Sequence, residues 1–504
     1  MSAIPEPPLS PASEAVIQSV LDWLIAARDR SDSDNIEQVH YQLLKLHDTP
    51  LPAFHRSRLL GMLHEHVEHS VKAELPAFQK ISLPVARRLR QRIRRVNELL
   101  ETLTQDYFNA LTELFDLQAG TARYPLDDSL RRALQGIAWR IRIDHLVAAP
   151  NGIGLWQQLH DGFRTACRIG LETFPKPYGA STIQRIYSDT LLVAIAQPAS
   201  FSASELEFIH DYIEASPFCI EPSEAPPDGA EAVFWIDPEQ DFPAHALIRR
   251  LPANDAQPLY FACDAIAGEI VRQLDELGSG GSAAALKLPV FAETRNGRGV
   301  LRRLAKLWGK PVRRRFSRRR QSSRAHLFFG LDNLWRLMRQ IGDQAPVSEW
   351  MITNESPDGY ALMHVSDDTS ALCVGGVVAM RMIDAQDDSE QPWSIGIIRW
   401  VISENPEHLE LGLQVIARHA VAVELARPYE LEAGSVAALL LPEAPPLQAF
   451  ESLLVASGTI RNDDATMLLL VERDNLVVRE IRTGEPTEQT SSIELISVSP
   501  QDSA

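Results

Sequence analysis

Between residues 85 and 114, apolar side chains recur in steps of three and four: Val85, Leu89, Ile93, Val96, Leu100, Leu103, Tyr107, Leu111 and Leu114. That spacing keeps one face of a helix apolar. It predicts a long helix opening at Pro84, since a first turn does not need the N–H that proline lacks. The stripe fits either a core face of a helical bundle or the seam of a coiled-coil dimer. A local core is the favoured reading, because amphipathic helices ordinarily cover one. Val16, Val20, Leu21, Leu24 and Ile25 follow the same spacing, and further helices are expected at 129–147, 155–174, 181–197 and 202–215. Ser202 and Glu205 stand at capping-box spacing. Residues 1–215 therefore read as a helical domain.

The pattern changes after Pro217. Val233–Ile236 and Leu259–Ala262 read as short strands, with Asp264 capping a helix that runs to Leu277. Gly278–Ser282 reads as a turn or flexible linker. It is not a phosphate loop, because no Gly-Lys-Ser/Thr follows at the needed spacing. Val300–Trp308 sets Arg302, Arg303 and Lys306 opposite Leu301, Leu304, Leu307 and Trp308. A packed interdomain helix is preferred here to a membrane-surface one. Residues 216–310 form a small mixed α/β region and linker on this reading.

From Arg313 onward the period falls to two. Leu409, Leu411, Leu413 and Val415 alternate with Glu410, Gly412 and Gln414, the mark of a half-buried strand. Trp350–Thr353, Tyr360–Val365, Leu372–Met382 and Ile395–Ile402 are further strand candidates. Short strands with turns between them suggest a small barrel or sandwich over 311–425. Val436–Leu441, Met467–Val471 and Leu476–Val478 mark a β-rich extension over 426–504. The fold class is multidomain α+β.

Composition narrows the function. The 504 residues carry a formal net charge of −18. Such a chain is repelled by nucleic acid and anionic membranes unless its basic residues are gathered locally. The four cysteines, Cys167, Cys219, Cys263 and Cys373, form no CxxC pair. This argues against a zinc ribbon or a disulfide framework. The polar, proline-rich start lacks the pattern of a signal peptide, and no apolar run approaches a membrane span, so a cytoplasmic protein is expected. His64-Glu65-His66-Val67-Glu68-His69 invites a metal reading but matches neither HExxH nor HxxEH. A solvated helix face is the preferred reading. No metal site, catalytic residue or cofactor is expected.

The basic residues are gathered in Arg313-Arg314-Arg315-Phe316-Ser317-Arg318-Arg319-Arg320-Gln321-Ser322-Ser323-Arg324. An arginine fork can grip two phosphate oxygens, or O6 and N7 of guanine. By itself, the run fits a nucleic-acid patch or a solvated surface equally well. Downstream, Asn354-Glu355-Ser356-Pro357-Asp358-Gly359 lies between two apolar strands. Pro357 presets a turn, and Gly359 can take positive φ and would let a ligand approach the backbone closely. Asn354 and Ser356, on alternate residues of extended chain, can face one ligand together.

These two features resemble the PilZ domain family, which carries RxxxR just before its first barrel strand and (Asp/Asn)xSxxG some residues later. Arg320 to Arg324 supplies the first motif, directly before the strand-like Ala325–Phe329. Asn354 to Gly359 supplies the second. The pairs Arg314/Arg318 and Arg315/Arg319 also fit RxxxR. Gly330–Ser348, helical in pattern, reads as an insertion in the barrel. The resemblance spans about residues 315–420 and implies a bacterial second-messenger receptor whose ligand is cyclic di-GMP. By that resemblance Arg320 and Arg324 would clamp guanine edges and phosphates, with Arg319 assisting. Asn354 and Ser356 would bond a guanine, and Gly359 would shape the turn. The helical N-terminal domain would then offer a surface to a protein partner. Two alternatives stay open: a nucleic-acid-binding protein using Arg313–Arg324, and an adaptor whose barrel binds only protein.

Overall fold

The computed structural model describes residues 9–28, 36–116, 123–174, 181–312, 317–341, 347–366, 369, 371–383, 392–405, 408–428, 434–445, 450–461, 466–472 and 476–500. Arg313, Arg314, Arg315 and Phe316 of the arginine run lie outside them. Eight helices come first: α1 (Pro11–Arg28), α2 (Ile36–His47), α3 (Ala53–Phe78), α4 (Arg87–Asp116), α5 (Arg123–Leu146), α6 (Leu155–Ile169), α7 (Ile183–Ile195) and α8 (Ala203–Ala215). The stripe on α4 serves a core within the chain. Ile93, Val96, Leu100, Leu103, Tyr107 and Leu111 are buried, and the helix packs against α2, α3 and α5. Pro84 is not in the first turn, because α4 starts at Arg87. Helix α6 stops earlier than expected, at Gly170, whose φ of 66° takes the left-handed C-terminal position that glycine tolerates best. At α8 the capping box is complete, with Ser202 and Glu205 each bonding the other's backbone N–H.

The histidine-rich segment of α3 is not a wholly solvated face. Val67 is in the core, and His64 turns inward, edge-on to Tyr107. Burial, and then the charge of Arg132, hold its imidazole down at about 3. His66 packs edge-on to Trp23.

The small α/β region contains a three-stranded antiparallel sheet, β1 (Val233–Ile236), β2 (His245–Ala246) and β3 (Leu259–Ala262), in the order β2-β1-β3. Two helices follow, α9 (Asp264–Gly278) and α10 (Arg295–Trp308). Asp264 does not cap α9. Its carboxylate accepts the backbone N–H groups of Glu231 at 3.0 Å and Ala232 at 3.2 Å, tying the entry of β1 to the helix. Gly278–Ser282 closes α9 rather than acting as a loose linker: Gly281 N–H returns to the Glu276 carbonyl at 2.8 Å, with Gly280 at φ 94°. This region is bolted to the helices. The Asp241 carboxylate receives the N–H groups of Trp156 at 3.0 Å and Gln157 at 3.3 Å, capping α6 from outside. Trp308 of α10 donates its indole N–H to Leu192 O at 3.0 Å, and Arg303 pairs with Glu205 at 3.0 Å. The basic amphipathic helix is a packed one.

Two closed barrels complete the chain. The first contains β4 (Arg319–Arg320), β5 (Arg324–Phe329), β6 (Ser348–Ser356), β7 (Gly359–Ser366), β8 (Val377–Ile383), β9 (Ser394–Asn405) and β10 (His408–Ala417). Its six-strand ring runs β6-β5-β8-β9-β10-β7 and closes through β6–β7 pairing, with β4 added on β6. The second is β11 (Val421–Ala426), β12 (Val436–Leu441), β13 (Ser452–Ala456), β14 (Thr466–Glu472), β15 (Leu476–Gln489) and β16 (Ile493–Pro500), closed in the order β11-β12-β13-β16-β15-β14. Strand β11 therefore belongs to the second barrel, and a division at 425 would cut it just before its last residue, Ala426. On β10, Gly412 makes room for a neighbour: a Cβ there would lie 1.9 Å from the indole nitrogen of Trp400.

Helix α11 (Leu331–Arg339), inserted between β5 and β6, packs in the seam between the barrels. Leu334 is fully buried there, Trp335 donates its indole N–H to Val423 O at 2.8 Å, and Arg339 pairs with Glu424 at 2.8 Å. Phe328, Val377 and Ile395 of the first barrel share this core with Leu439, Leu454 and Ile493 of the second. A separate apolar core runs from Val20 through the helices and the small sheet to Leu413 inside the first barrel. Ser403 N–H to Ala148 O at 2.8 Å, and the Thr369 hydroxyl to Leu83 O at 2.7 Å, bridge the barrel and the bundle. No helix among the described residues is long and apolar enough to cross a membrane, and the four cysteines are free.

Near this junction, Asp144 is buried at the end of α5 and receives Gly152 N–H at 3.2 Å. Burial raises its carboxyl to about 6, against hydrogen bonds from Gly152 and Asn151 that lower it. Folding therefore favours the protonated acid. Its stabilising contribution is full below the ordinary value of 3.8 and is lost as pH rises through about 6. Asp144→Asn should raise the melting temperature at neutral pH and change it little near pH 4. Melting curves of both proteins across that range check this; an equal effect at both ends would refute it.

Candidate functional site

The outer surface of the first barrel around β6 collects the residues expected to bind ligand. Strand β4 pairs antiparallel with the end of β6, with Arg319 opposite Glu355 and Arg320 opposite Asn354. The chain stays beside β6, with Gln321 N–H on Thr353 O at 3.3 Å and Ile352 N–H on Ser323 O at 2.8 Å. Arg324 then pairs with Met351 as β5 begins. Both halves of the RxxxR motif thus run along the strand that carries the second motif.

Which way these side chains face is decided by a bulge. Along β6, Ser348, Trp350 and Ile352 are buried and so point into the barrel. Ile352 opposes Leu362 and Asn354 opposes Ala361, which leaves Thr353 unmatched. One extra residue reverses the phase of a strand. Asn354 and Ser356 therefore fall on the outward side with Met351, together with Arg320 and Arg324 through their own pairings. Without the bulge, the alternation of Trp350 and Ile352 would have aimed Asn354 inward. Arg319 falls with Glu355 on the opposite side from Arg320 and Asn354.

The polar groups here are held by local partners. Arg324 forms an ion pair with Glu349, although its side chain is largely exposed. An exposed pair of this kind is worth at most about 1 kcal/mol, so an incoming anion can displace it. Gln321, with its amide turned to donate, reaches the two oxygens of Glu355 at 2.8 and 2.7 Å and accepts from Ser323 Oγ at 3.2 Å. The Ser356 hydroxyl lies 2.9 Å from Asp358 Oδ1 and 3.0 Å from Gly359 O, both acceptors for its single proton. Burial, and then the charge of Glu355, push the Tyr360 phenol up. Sequence reading missed Gln321, Glu349 and Glu355 as holding groups. Gln321 and Glu355 lie inside the two motifs, but only the pairing of β4 with β6 brings them together.

Gly359 is explained differently from the expectation. It is absent from the positive-φ residues, and so is Asp358, so the turn at Pro357-Asp358 keeps negative φ at its corners. Glycine is needed because β10 comes close: a Cβ at 359 would lie 2.4 Å from Leu413 O. Gly359→Ala should therefore destabilise the ligand-free protein by about 1–3 kcal/mol through overpacking at the β7–β10 contact. Denaturant unfolding without ligand checks this, and an unchanged midpoint would return Gly359 to a purely ligand-facing role.

Two family models match the chain, in order. One, described as "Cyclic-di-GMP receptor FimW, N-terminal domain", matches residues 18–219. The other, "Cyclic-di-GMP receptor FimW, middle PilZ domain", matches residues 336–421, the first barrel from within α11 to the start of β11. Asn354, Ser356 and Gly359 lie inside that match, whereas Arg319, Arg320 and Arg324 precede it. No curated protein matches the chain. A PilZ domain is a binding domain rather than a catalytic one. With a helical N-terminal domain and a PilZ barrel each matched by the corresponding part of one receptor family, and the two together spanning more than half of its length, the chain belongs to the FimW family of cyclic di-GMP receptors.

Proposed function

We propose that cyclic di-GMP binds on the outward face of the first barrel, between the β4–β5 connection and the β6–β7 hairpin. The supporting observation is the register of β4 on β6, with Arg320 opposite Asn354 and Arg324 beside Met351. In this reading Arg320 and Arg324 grip phosphate oxygens or guanine edges through their planar forks. Asn354 and Ser356 bond a guanine edge from the barrel surface. Arg324 exchanges Glu349 for the ligand, and the Ser356 proton leaves its own turn. Arg319, on the other side of β4, assists by charge rather than by direct contact.

The same reading extends to output. The first barrel is joined to the helices by the Ser403–Ala148 and Thr369–Leu83 hydrogen bonds and by a shared core. Ligand that favours one setting of the arginine segment shifts the population of that setting, and the helical domain offers the result to a protein partner. In this reading the four domains expected with bounds at 215, 310 and 425, with β11 moved to the last of them, divide the labour as helical output, connecting α/β region, sensing barrel and supporting barrel.

Arg320→Ala and Arg324→Ala should each weaken cyclic di-GMP binding by about 1–3 kcal/mol, the scale of a bidentate contact. Lysine at position 320 should restore only part of this, because a point charge lacks the fork. Ser356→Ala should cost about 0.5–1.5 kcal/mol, as for a neutral hydrogen bond. None of the three should lower the melting temperature appreciably. Calorimetry with cyclic di-GMP and with a short oligonucleotide decides the matter. Equal small losses along the whole arginine run, with comparable oligonucleotide binding, would favour a nucleic-acid protein instead.

A further inference from the structure

A cavity of about 650 Å³ lies where the helical bundle, α10 and both barrels meet, away from the β6–β7 hairpin. Trp156 and the loop after α5 wall one side, and the Pro198–Ser200 turn another. Arg303 and Lys306 enter from α10, Arg399 and Trp400 from β9, and Glu488 from β15. Alanine, proline and tryptophan supply much of the lining, while the charged groups converge from α10 and the two barrels. A pocket of this size, mostly apolar with a few convergent polar groups, is the usual form of a small-molecule site.

The charges are unequal in number and in commitment. Arg399 holds Glu488 through two hydrogen bonds, at 2.9 and 3.1 Å, and Gln414 at 2.8 Å. Arg303 is held by Glu205 at 3.0 Å and lies over the Phe201 ring at 3.8 Å. Lys306 is exposed at the rim and forms no hydrogen bond or ion pair among the described residues. Three cations thus face one lining carboxylate, and the least committed cation is the one nearest solvent. His145, also on the wall, has its Nδ1 covered and without a hydrogen-bond partner.

We propose that this junction is a second ligand site, taking a small organic anion with a flat, largely apolar body. The negative group meets Lys306 at the rim, and the flat body lies between Trp400 and the Pro198–Ser200 turn. Because the walls belong to separate parts of the chain, occupancy favours their present arrangement over any that opens the junction.

Two fluorescent probes of similar shape test this: anilinonaphthalene sulfonate, which is anionic, and N-phenylnaphthylamine, which is neutral. The expected result is saturable single-site binding of the anionic probe to the full chain, at least about ten-fold tighter than the neutral one. Lys306→Glu, an exposed change that leaves the core alone, should weaken the anionic probe by about ten-fold and leave the neutral probe unchanged. Ala199→Trp, which fills the cavity, should abolish binding of both probes while cyclic di-GMP titration stays normal. Arg320→Ala should leave probe binding intact. Equal affinity for the two probes, no response to Lys306→Glu, or loss on Arg320→Ala would each overturn the proposal, and the Lys306 result decides it if the tryptophan variant fails to fold.

Discussion

Strand β6 carries more pairing than any single edge of a barrel can. On one side it closes the ring through β7; on the other it receives both β4 and β5. The closure forces the hairpin at Pro357-Asp358 against β10, and that contact is why glycine follows the turn. The double pairing draws the arginine segment alongside the polar end of the strand. The bulge at Thr353 then fixes which side chains look outward. Remove any of these and the two motifs remain in the sequence but no longer share a face.

Much of the architecture was legible because it rests on local periodicity. The α4 stripe, the Ser202–Glu205 box and the alternation from Leu409 to Val415 each specify an element without help from elsewhere. The cyclic di-GMP receptor family was legible for a similar reason, since its motifs are short and ordered. What escaped depends on distant partners. A bulge has no spacing of its own in the sequence, so Asn354 and Ser356 were matched to one ligand without the register that turns them outward. Asp264 has the residue type of a cap, yet its carboxylate goes to the entry of β1. Gly359 looked like a positive-φ residue, and only the approach of Leu413 reveals steric crowding as its reason. Strand β11 follows β10 closely, and nothing local says that it pairs with β12 and β14.

Among the described residues the buried apolar side chains fall into three cores, one of them the interior of the second barrel, and the other two divide the chain differently from its composition. Composition separates a helical half from a β half. Packing instead joins the helices, the small sheet and the interior of the first barrel in one core, and gives the seam between the barrels a second. The first barrel contributes to both, lining its interior with one set of side chains and turning the other toward its neighbour. It touches both the helices and the second barrel, while α10 also reaches the second barrel directly, with Arg295 on Glu494 at 3.3 Å.

Helix α11 gives that position a folding consequence. It leaves the first barrel after one strand and returns before the next, and in between it buries Leu334 and anchors Trp335 on the second barrel. A fragment ending before β11 would expose Phe328, Val377, Ile395 and one side of α11 together, an adhesive apolar surface of the kind that drives aggregation. The shared seam couples the two barrels, and a gene fragment encoding only the PilZ segment is a poor starting point for a soluble minimal receptor.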